Sequence, residues 1–483
     1  MRPAAATLPL RPVPDPGAVL LGLCAMQADG EPVEPFLMGG DLAFHGEAPR
    51  PVILLGWQPV DRWIAAESAP EQAHFPWEDG AAAFFAALDA FLQPEPVSRA
   101  EGRPAGKSLP FSEGISVGWI GHELPATCLV RHETIALFQP RDRSARIVAC
   151  APRGVSFPAA RAAARERARM AADLVDRAAA RGMRLQDHGM PAISRFVRRT
   201  PVIWTVDEPE HHRRIREVLN LIAAGEVYQV NLAHPIHLRF PAADPVRLAQ
   251  LFLGLWRLNP VPFPAYVSAA GTTILGLSPE RYIARRGQEL ESRPIKGTRP
   301  RGSTPREDAR LVRELQASEK DRAENIMIVD LVRNDLGRIA LPGGVRVQAL
   351  CQVESFRTVH HLVSTVKAAI PHSLSAGSIL EAIHPPGSMT GAPKIAAVKI
   401  LSRLEGTPRG PYAGGIGWFA GTDHFHLAMV IRSLLASRTR LVLPVGGGIV
   451  ADSQPDREYR ETLDKAAVVL DHLLPARTSA GAG

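Results

Sequence analysis

The sequence predicts a mixed α/β (α+β) fold in which helices are interspersed with paired strands. Three observations carry this. Ile215, Val218, Leu219 and Ile222 recur at the i, i+3, i+4, i+7 spacing of a helix face turned to a core; Gly225 follows as a C-cap, and Val227-Tyr-Gln-Val-Asn-Leu232 then reads as a strand. Thr304-Pro-Arg-Glu307 is a capping box with proline at the first helical position. The first 150 residues carry short apolar runs broken by Pro and Gly, such as Pro51-Val-Ile-Leu-Leu-Gly56 and Ile135-Ala-Leu-Phe138, which predict short strands joined by loops.

In chain order, the Ala/Arg-rich stretch from Phe157 to about Arg181 has few breakers and predicts a helix, and residues 182–203 read as a connector. A second region begins near Trp204, so the chain divides into an N-terminal region, 1–200, and a second region, 204–475. The helix opened by the capping box runs, whole or broken, through Val332. A last helix begins near Asp456, after Pro455, and reaches about Leu474.

The chain has 483 residues, 46% hydrophobic and 22% charged, enough for a sizeable core. A net charge of +7 permits a nucleic-acid partner, but the arginines are dispersed, aromatics are only 6% and no basic block occurs. Anionic small substrates fit as well, and no nucleic-acid partner is expected. Cys24, Cys128, Cys150 and Cys351 form no CxxC and lie at no metal-ligand spacing from histidine, so they read as reduced thiols of a cytoplasmic protein. The N-terminus lacks the apolar run of a signal peptide. No apolar stretch approaches the roughly 20 residues of a membrane helix.

The chemistry centres on Lys296, in Arg293-Pro-Ile-Lys-Gly-Thr-Arg-Pro-Arg301. Neighbouring positive charges and burial both disfavour an ammonium, and a lysine so placed serves as nucleophile or base. The alternative is a solvated basic loop or an anion cradle. Asp321 and Glu324 share one helix face, and Glu458 and Glu461 repeat that spacing on the last helix, one turn before Lys465. Such pairs are commonly a solvated face. Converging, the four carboxylates would suit Mg²⁺, which prefers oxygen ligands. The first pair precedes Ile326-Met-Ile-Val-Asp-Leu-Val332, too apolar for an exposed helix, so its carboxylates need partners.

Three glycine-rich stretches, Pro386-Gly-Ser-Met-Thr-Gly-Ala-Pro393, Gly414-Gly415-Ile-Gly417 and Gly446-Gly447-Gly448, allow either close ligand approach or tight turns. The first opens a helix start suited to anions. None is a nucleotide-binding loop. His360 and His361 fall on opposite faces of a strand-like run, Phe356-Arg-Thr-Val-His-His-Leu-Val-Ser364, where a histidine is more often structural than catalytic.

Together these segments resemble the chorismate-utilising enzymes, which include anthranilate, aminodeoxychorismate, isochorismate and salicylate synthases. The matching stretches are Gly225–Leu232, Leu277–Arg281, Pro294–Thr298, Asp321–Gly337, His360–Ser364, Gly387–Lys394, Tyr412–Trp418, Val430–Arg432 and Gly446–Lys465, in the family's order. The N-terminal half matches mainly through Leu109–Gly121. The resemblance implies an anthranilate synthase component I-like fold: two orthogonally packed antiparallel β-sheets flanked by helices, with both chain halves contributing. It also implies chorismate and Mg²⁺, with Glu324 and Glu461 as direct metal ligands and Asp321 and Glu458 assisting through water. Tyr412, Arg432, Gly448 and Lys465 would contact the substrate carboxylates, Thr298 and the Thr390-Gly391 amides would line the ring, and His361 would assist departure of the C4 hydroxyl. Glu280 matches the family's general acid.

Isochorismate and salicylate synthases carry a lysine base where this chain has Gln229, and anthranilate synthases usually have alanine where it has Lys296. The combination resembles the aminodeoxychorismate synthase component I branch, with anthranilate synthase component I as the alternative. That branch forms 4-amino-4-deoxychorismate, the precursor of 4-aminobenzoate and folate, through a covalent adduct of the lysine. No cysteine here sits in the glycine-rich elbow of a glutaminase, so ammonia is expected from a separate glutamine amidotransferase subunit. The stretch Pro35–Gly40 lacks the serine of tryptophan-binding relatives, so bound tryptophan is not implied.

Overall fold

The computed structural model describes residues 5–31, 33–41, 51–64, 81–92, 115–150, 157–187, 202–239, 244–437 and 439–473. Most of the connector 182–203 and the first part of the Leu109–Gly121 match lie outside the described residues. Two antiparallel sheets, flanked by helices, make the frame. Both draw strands from either side of residue 200.

The larger sheet is centred on Phe36–Asp41, Phe263–Ala269, Thr272–Ser278, Ser433–Ala436, Arg440–Ile449 and Gln229–Arg239, in that spatial order. The N-terminal strand Phe36–Asp41 thus pairs directly with a strand more than 200 positions later. The second sheet runs Ile295–Pro300, Val359–Ala369, Glu289–Arg293, Arg281–Arg286, His424–Met429, Gly415–Ala420 and Ile115–Ile120, then continues through Cys128–His132 to Asp61–Ile64. Between the sheets lies a core of Phe36, Met38, Val117, Trp119, Phe263 and Trp418 with their neighbours, drawn from both. A second core covers the far face of the larger sheet, beneath helices Pro16–Ala28, Phe157–Asp187 and Pro245–Leu258.

The predicted helices form, with local differences. The Ala/Arg helix extends to Asp187. The helix bearing Ile215 spans Glu208–Ala223 and ends as a Schellman turn: Gly225 (φ +78°) donates to Ile222 and Glu226 to Leu221. Its following strand begins at Gln229 and extends to Arg239, beyond the predicted Leu232. The capping box opens Pro305–Ala317, and Ser318 breaks the run while capping Glu319–Gly337 through Asp321 N. One residue therefore ends one helix and starts the next, which re-aims Asp321 and Glu324. The last helix spans Pro455–Leu473. No described helix is long and apolar enough to cross a membrane. All four cysteines are buried, and none forms a disulfide among the described residues.

Candidate active site

A cleft of about 620 Å³ opens where the strands Ile295–Pro300 and Arg440–Ile449 face the helices Glu319–Gly337 and Pro455–Leu473. Its volume lies within the ordinary range for small-molecule sites. Lys296, Glu280, His361, Thr298, Tyr412, Arg432, Gly448, Lys465, Asp321, Glu324, Glu458 and Glu461 all line it. Thr390 and Gly391 do not. The Thr390 hydroxyl donates to the carbonyls of Pro386 and Gly387, its amide also goes to Gly387, and Gly391 pairs with Val230 at the sheet edge. Ser388 and Met389, in the short 3₁₀ turn just before them, form the wall instead. The expected anion site at the following helix start is not part of this wall either: Lys394, its first residue, is an ion-pair partner of Asp335 at 2.6 Å.

Glu280 follows the strand Thr272–Ser278 and is 5% exposed. Burial pushes its carboxyl up to about 7, against the pull of Lys296, a hydrogen bond from Ser388 Oγ (3.1 Å) and one from the Ile295 backbone. Such a group holds a proton near neutral pH and can release it. Lys296 lies on an irregular strand whose register with Val359–Ala369 shifts between Ile295 and Thr298, and Gly297 takes φ +81° there. A Cβ on Gly448 would stand 2.4 Å from Gln229 Nε2 and at contact distance, 3.5 Å, from Lys296 Nζ, so glycine at 448 makes room for the Gln229 amide beside the amine. The other glycine-rich strand has a different purpose: a Cβ on Gly417 would meet the His426 carbonyl at 1.8 Å, which is close packing between strands.

The crowding expected around Lys296 is not what surrounds it. Arg293 pairs with Glu354, Arg299 with Asp321 at 2.9 Å and Arg301 with Asp308 at 2.8 Å. Each arginine is spent on a carboxylate that sequence spacing does not reveal. The charges that act with Lys296 are Glu280, Glu324, Glu461 and Lys465.

The acidic quartet reaches the cleft from two helices about 135 positions apart. Burial pushes Glu324 up; Lys296 and Lys320 oppose this, and Glu461 and Asp321 add to it. Burial also raises Glu458, whose Oε1 accepts from Ser453 Oγ at 2.7 Å. Desolvation at the cleft wall pushes Glu461 up too, but the Lys465 ammonium at 2.7 Å, with Lys320 and Lys296, outweighs it and holds that carboxyl low. Lys320 Nζ stands 3.9 Å from Glu324 and 4.0 Å from Glu458. An ammonium thus lies between carboxylates that repel one another. The quartet is not gathered to within 4.8 Å in any group of three. The donors are oxygen only, strained by like charge and open to the cleft, which fits a hard divalent cation. Two of them already face a cation of the chain, Asp321 the Arg299 guanidinium and Glu461 the Lys465 ammonium.

His361 sits opposite Thr298 in the ladder, with Thr298 Oγ1 and His361 Nδ1 2.9 Å apart. Burial, with Arg432 nearby, pushes it down to about 4, so it is neutral near pH 7. His360 points to the other face and is structural, bonded to Asp308 and Ser355. Burial pushes Tyr412 up to about 12. Arg432 adopts φ +51°, a strained conformation for a non-glycine residue of the kind that gathers at functional sites.

Several polar lining residues fall outside the site predicted from sequence, among them Ser388, Asn231 and Lys320. Ser388 and Asn231 lay within recognised motifs, but only the fold aims Ser388 at Glu280. The Lys320–Glu324 spacing was the one local signal. Arg409 stands behind this wall, buried, donating to the carbonyls of Met389 and Asn231 and pairing with Glu405 at 2.6 Å.

Residues 45–471 match the family profile described as chorismate binding enzyme. The chain is 43% identical over 264 residues to aminodeoxychorismate synthase component 1 of Escherichia coli K12, covering 55% of this chain and 57% of that protein. It is 48% identical over 265 residues to aminodeoxychorismate synthase of Streptomyces griseus, covering 54% and 36%. The match thus spans about half the length of the first of these relatives and less of the second. Among solved structures, the menaquinone-specific isochorismate synthase of Escherichia coli superposes with a TM-score of 0.68 at 18% identity, covering 98% of this chain and 96% of that one. Anthranilate synthase component I of Streptococcus pneumoniae gives 0.62 at 21%, covering 97% and 92%. These two likenesses speak to the fold. The profile spans most of the sequence and takes in the residues that line the cleft, and the chain belongs to the chorismate binding enzyme family.

Proposed function

We propose that this chain is an aminodeoxychorismate synthase component I, converting chorismate and ammonia to 4-amino-4-deoxychorismate. The observation that carries the reading is Lys296 and the proton-holding Glu280 facing one cleft with the acidic quartet. Glu324 and Glu461 would hold Mg²⁺, with Asp321 and Glu458 behind them; the ion, when bound, would draw electron density from the ring through its carboxylate. Arg432, Tyr412 and Lys465 bind and orient the substrate carboxylates. Lys296 Nζ attacks C2 while Glu280 gives its proton to the departing C4 hydroxyl, releasing water. His361, neutral and held by Thr298, steadies that hydroxyl. Ammonia then forms the C4–N bond, the C2–N bond to Lys296 breaks, and the Glu280 carboxylate takes the proton shed by the new ammonium. The adduct divides one hard substitution into two easier ones. A separate glutamine amidotransferase subunit would supply the ammonia.

The test is incubation of the purified protein with chorismate, ammonium and Mg²⁺, with products resolved by mass. Aminodeoxychorismate is the expected product. Anthranilate, formed with no lyase present, would overturn the assignment.

A further inference from the structure

The helices Glu208–Ala223 and Pro455–Leu473 meet near their N-terminal ends, outside the cleft. There Glu208, His212 and Asp456 each aim one donor atom at a common point, all within 4.8 Å of one another. His212 Nε2 lies 3.7 Å from Glu208 Oε1 and 3.4 Å from Asp456 Oδ1. This nitrogen is shielded from solvent and has no hydrogen-bond partner among the described residues. Both separations exceed the roughly 2.7–3.2 Å of an N–H···O bond. They match instead the edge of a coordination tetrahedron: donors about 2.1 Å from one zinc ion lie about 3.4 Å apart.

The ring is held in place. Its edge packs against Tyr459 at 6.0 Å and 88°. Tyr459 lies one turn beyond Asp456 and also meets the buried His211. The carboxylates, by contrast, are 57% and 75% exposed, so an ion can enter and keep a water ligand. Glu208 and Asp456 also sit in helix first turns, where the dipole favours a negative charge without any metal. That simpler arrangement, an imidazole beside two carboxylates, leaves Nε2 unsatisfied.

We propose that Glu208, His212 and Asp456 form a binding site for a divalent transition-metal ion, of which Zn²⁺ fits best, because one imidazole and two carboxylates suit zinc and not magnesium. The ion would tie the first turn of the last helix to the helix Glu208–Ala223. That last helix carries Glu458, Glu461 and Lys465 into the cleft.

The experiment is calorimetric titration of the chelator-treated full chain with ZnCl₂ in excess Mg²⁺, together with thermal melts. The expected result is about one zinc per chain, bound at least tenfold more weakly by His212→Gln and by Asp456→Asn, as loss of a ligand requires. Zinc should raise the melting temperature of the unchanged chain more than that of either variant. Melts without metal show whether the variants are folded. Glu461→Gln, in the cleft, should keep the zinc affinity. The proposal is overturned by an absence of zinc binding, by equal affinity in the two variants, or by loss of zinc only in Glu461→Gln. None of these outcomes bears on amination of chorismate.

Discussion

Glu280→Gln tests both the buried acid and the chemistry assigned to it. The carboxyl, ordinarily at 4.5, lies at about 7 in the fold because burial disfavours the charge. Between those pH values the folded chain holds a proton that the unfolded chain has released. The stability this gives is complete below 4.5 and is lost as pH rises through 7. At roughly 1.4 kcal/mol per pH unit, ionised Glu280 costs the fold about 3 kcal/mol. Glutamine is neutral throughout and of nearly equal size. Its stability relative to the unchanged chain should therefore improve by about 2–3 kcal/mol between about pH 5 and pH 8.5. Urea denaturation followed by circular dichroism at the two pH values measures this difference. Turnover should fall about 10²- to 10⁴-fold, the usual loss on removing a general acid. A stability difference that does not change with pH would refute the buried, protonated carboxyl, and undiminished turnover would refute its role as the acid.

Lys296→Ala should lose nearly all aminodeoxychorismate formation with little change in melting temperature, and mass mapping should find a chorismate-derived adduct only on the unchanged chain. Ser388→Ala removes a hydrogen bond that favours the Glu280 carboxylate, so the alkaline limb of the pH–rate profile, expected near 7, should move to higher pH. Gly448→Ala would put a methyl 2.4 Å from Gln229 Nε2 and beside Lys296 Nζ, and should cut turnover at least tenfold in steady-state assays while the chain stays folded. Arg409→Met leaves the buried Glu405 carboxylate without its cation, held only by the Ala233 amide, and should destabilise the chain by about 3–5 kcal/mol in urea denaturation. Chelating Mg²⁺ should abolish amination, and Mg²⁺, but not Ca²⁺ with its larger coordination sphere, should restore it.

Helix positions were legible because their causes are local: periodicity, caps and the proline after Thr304 act within a few residues. So was the pairing of Asp321 with Glu324 and of Glu458 with Glu461, since residues three apart share a helix face. The mixed fold class came from the same short-range information, and the ordered motifs pointed to the family. What spacing could not say was which glycines face the cleft. Gly448 lies beside the amine only because Gln229–Arg239 pairs with Arg440–Ile449, whereas Gly414 and Gly417 merely admit neighbouring strands. Nor could it show that Arg293, Arg299 and Arg301 are each matched by a carboxylate brought from elsewhere, or that the Thr390 donors are consumed internally while Ser388 faces the acid. Charge and hydrogen-bond partners across long sequence separations are chosen by strand register and helix packing. The sequence by itself therefore determined the helices and which charged residues share a face on them, while the tertiary structure decided their neighbours, because proximity between distant segments exists only after the sheets have formed.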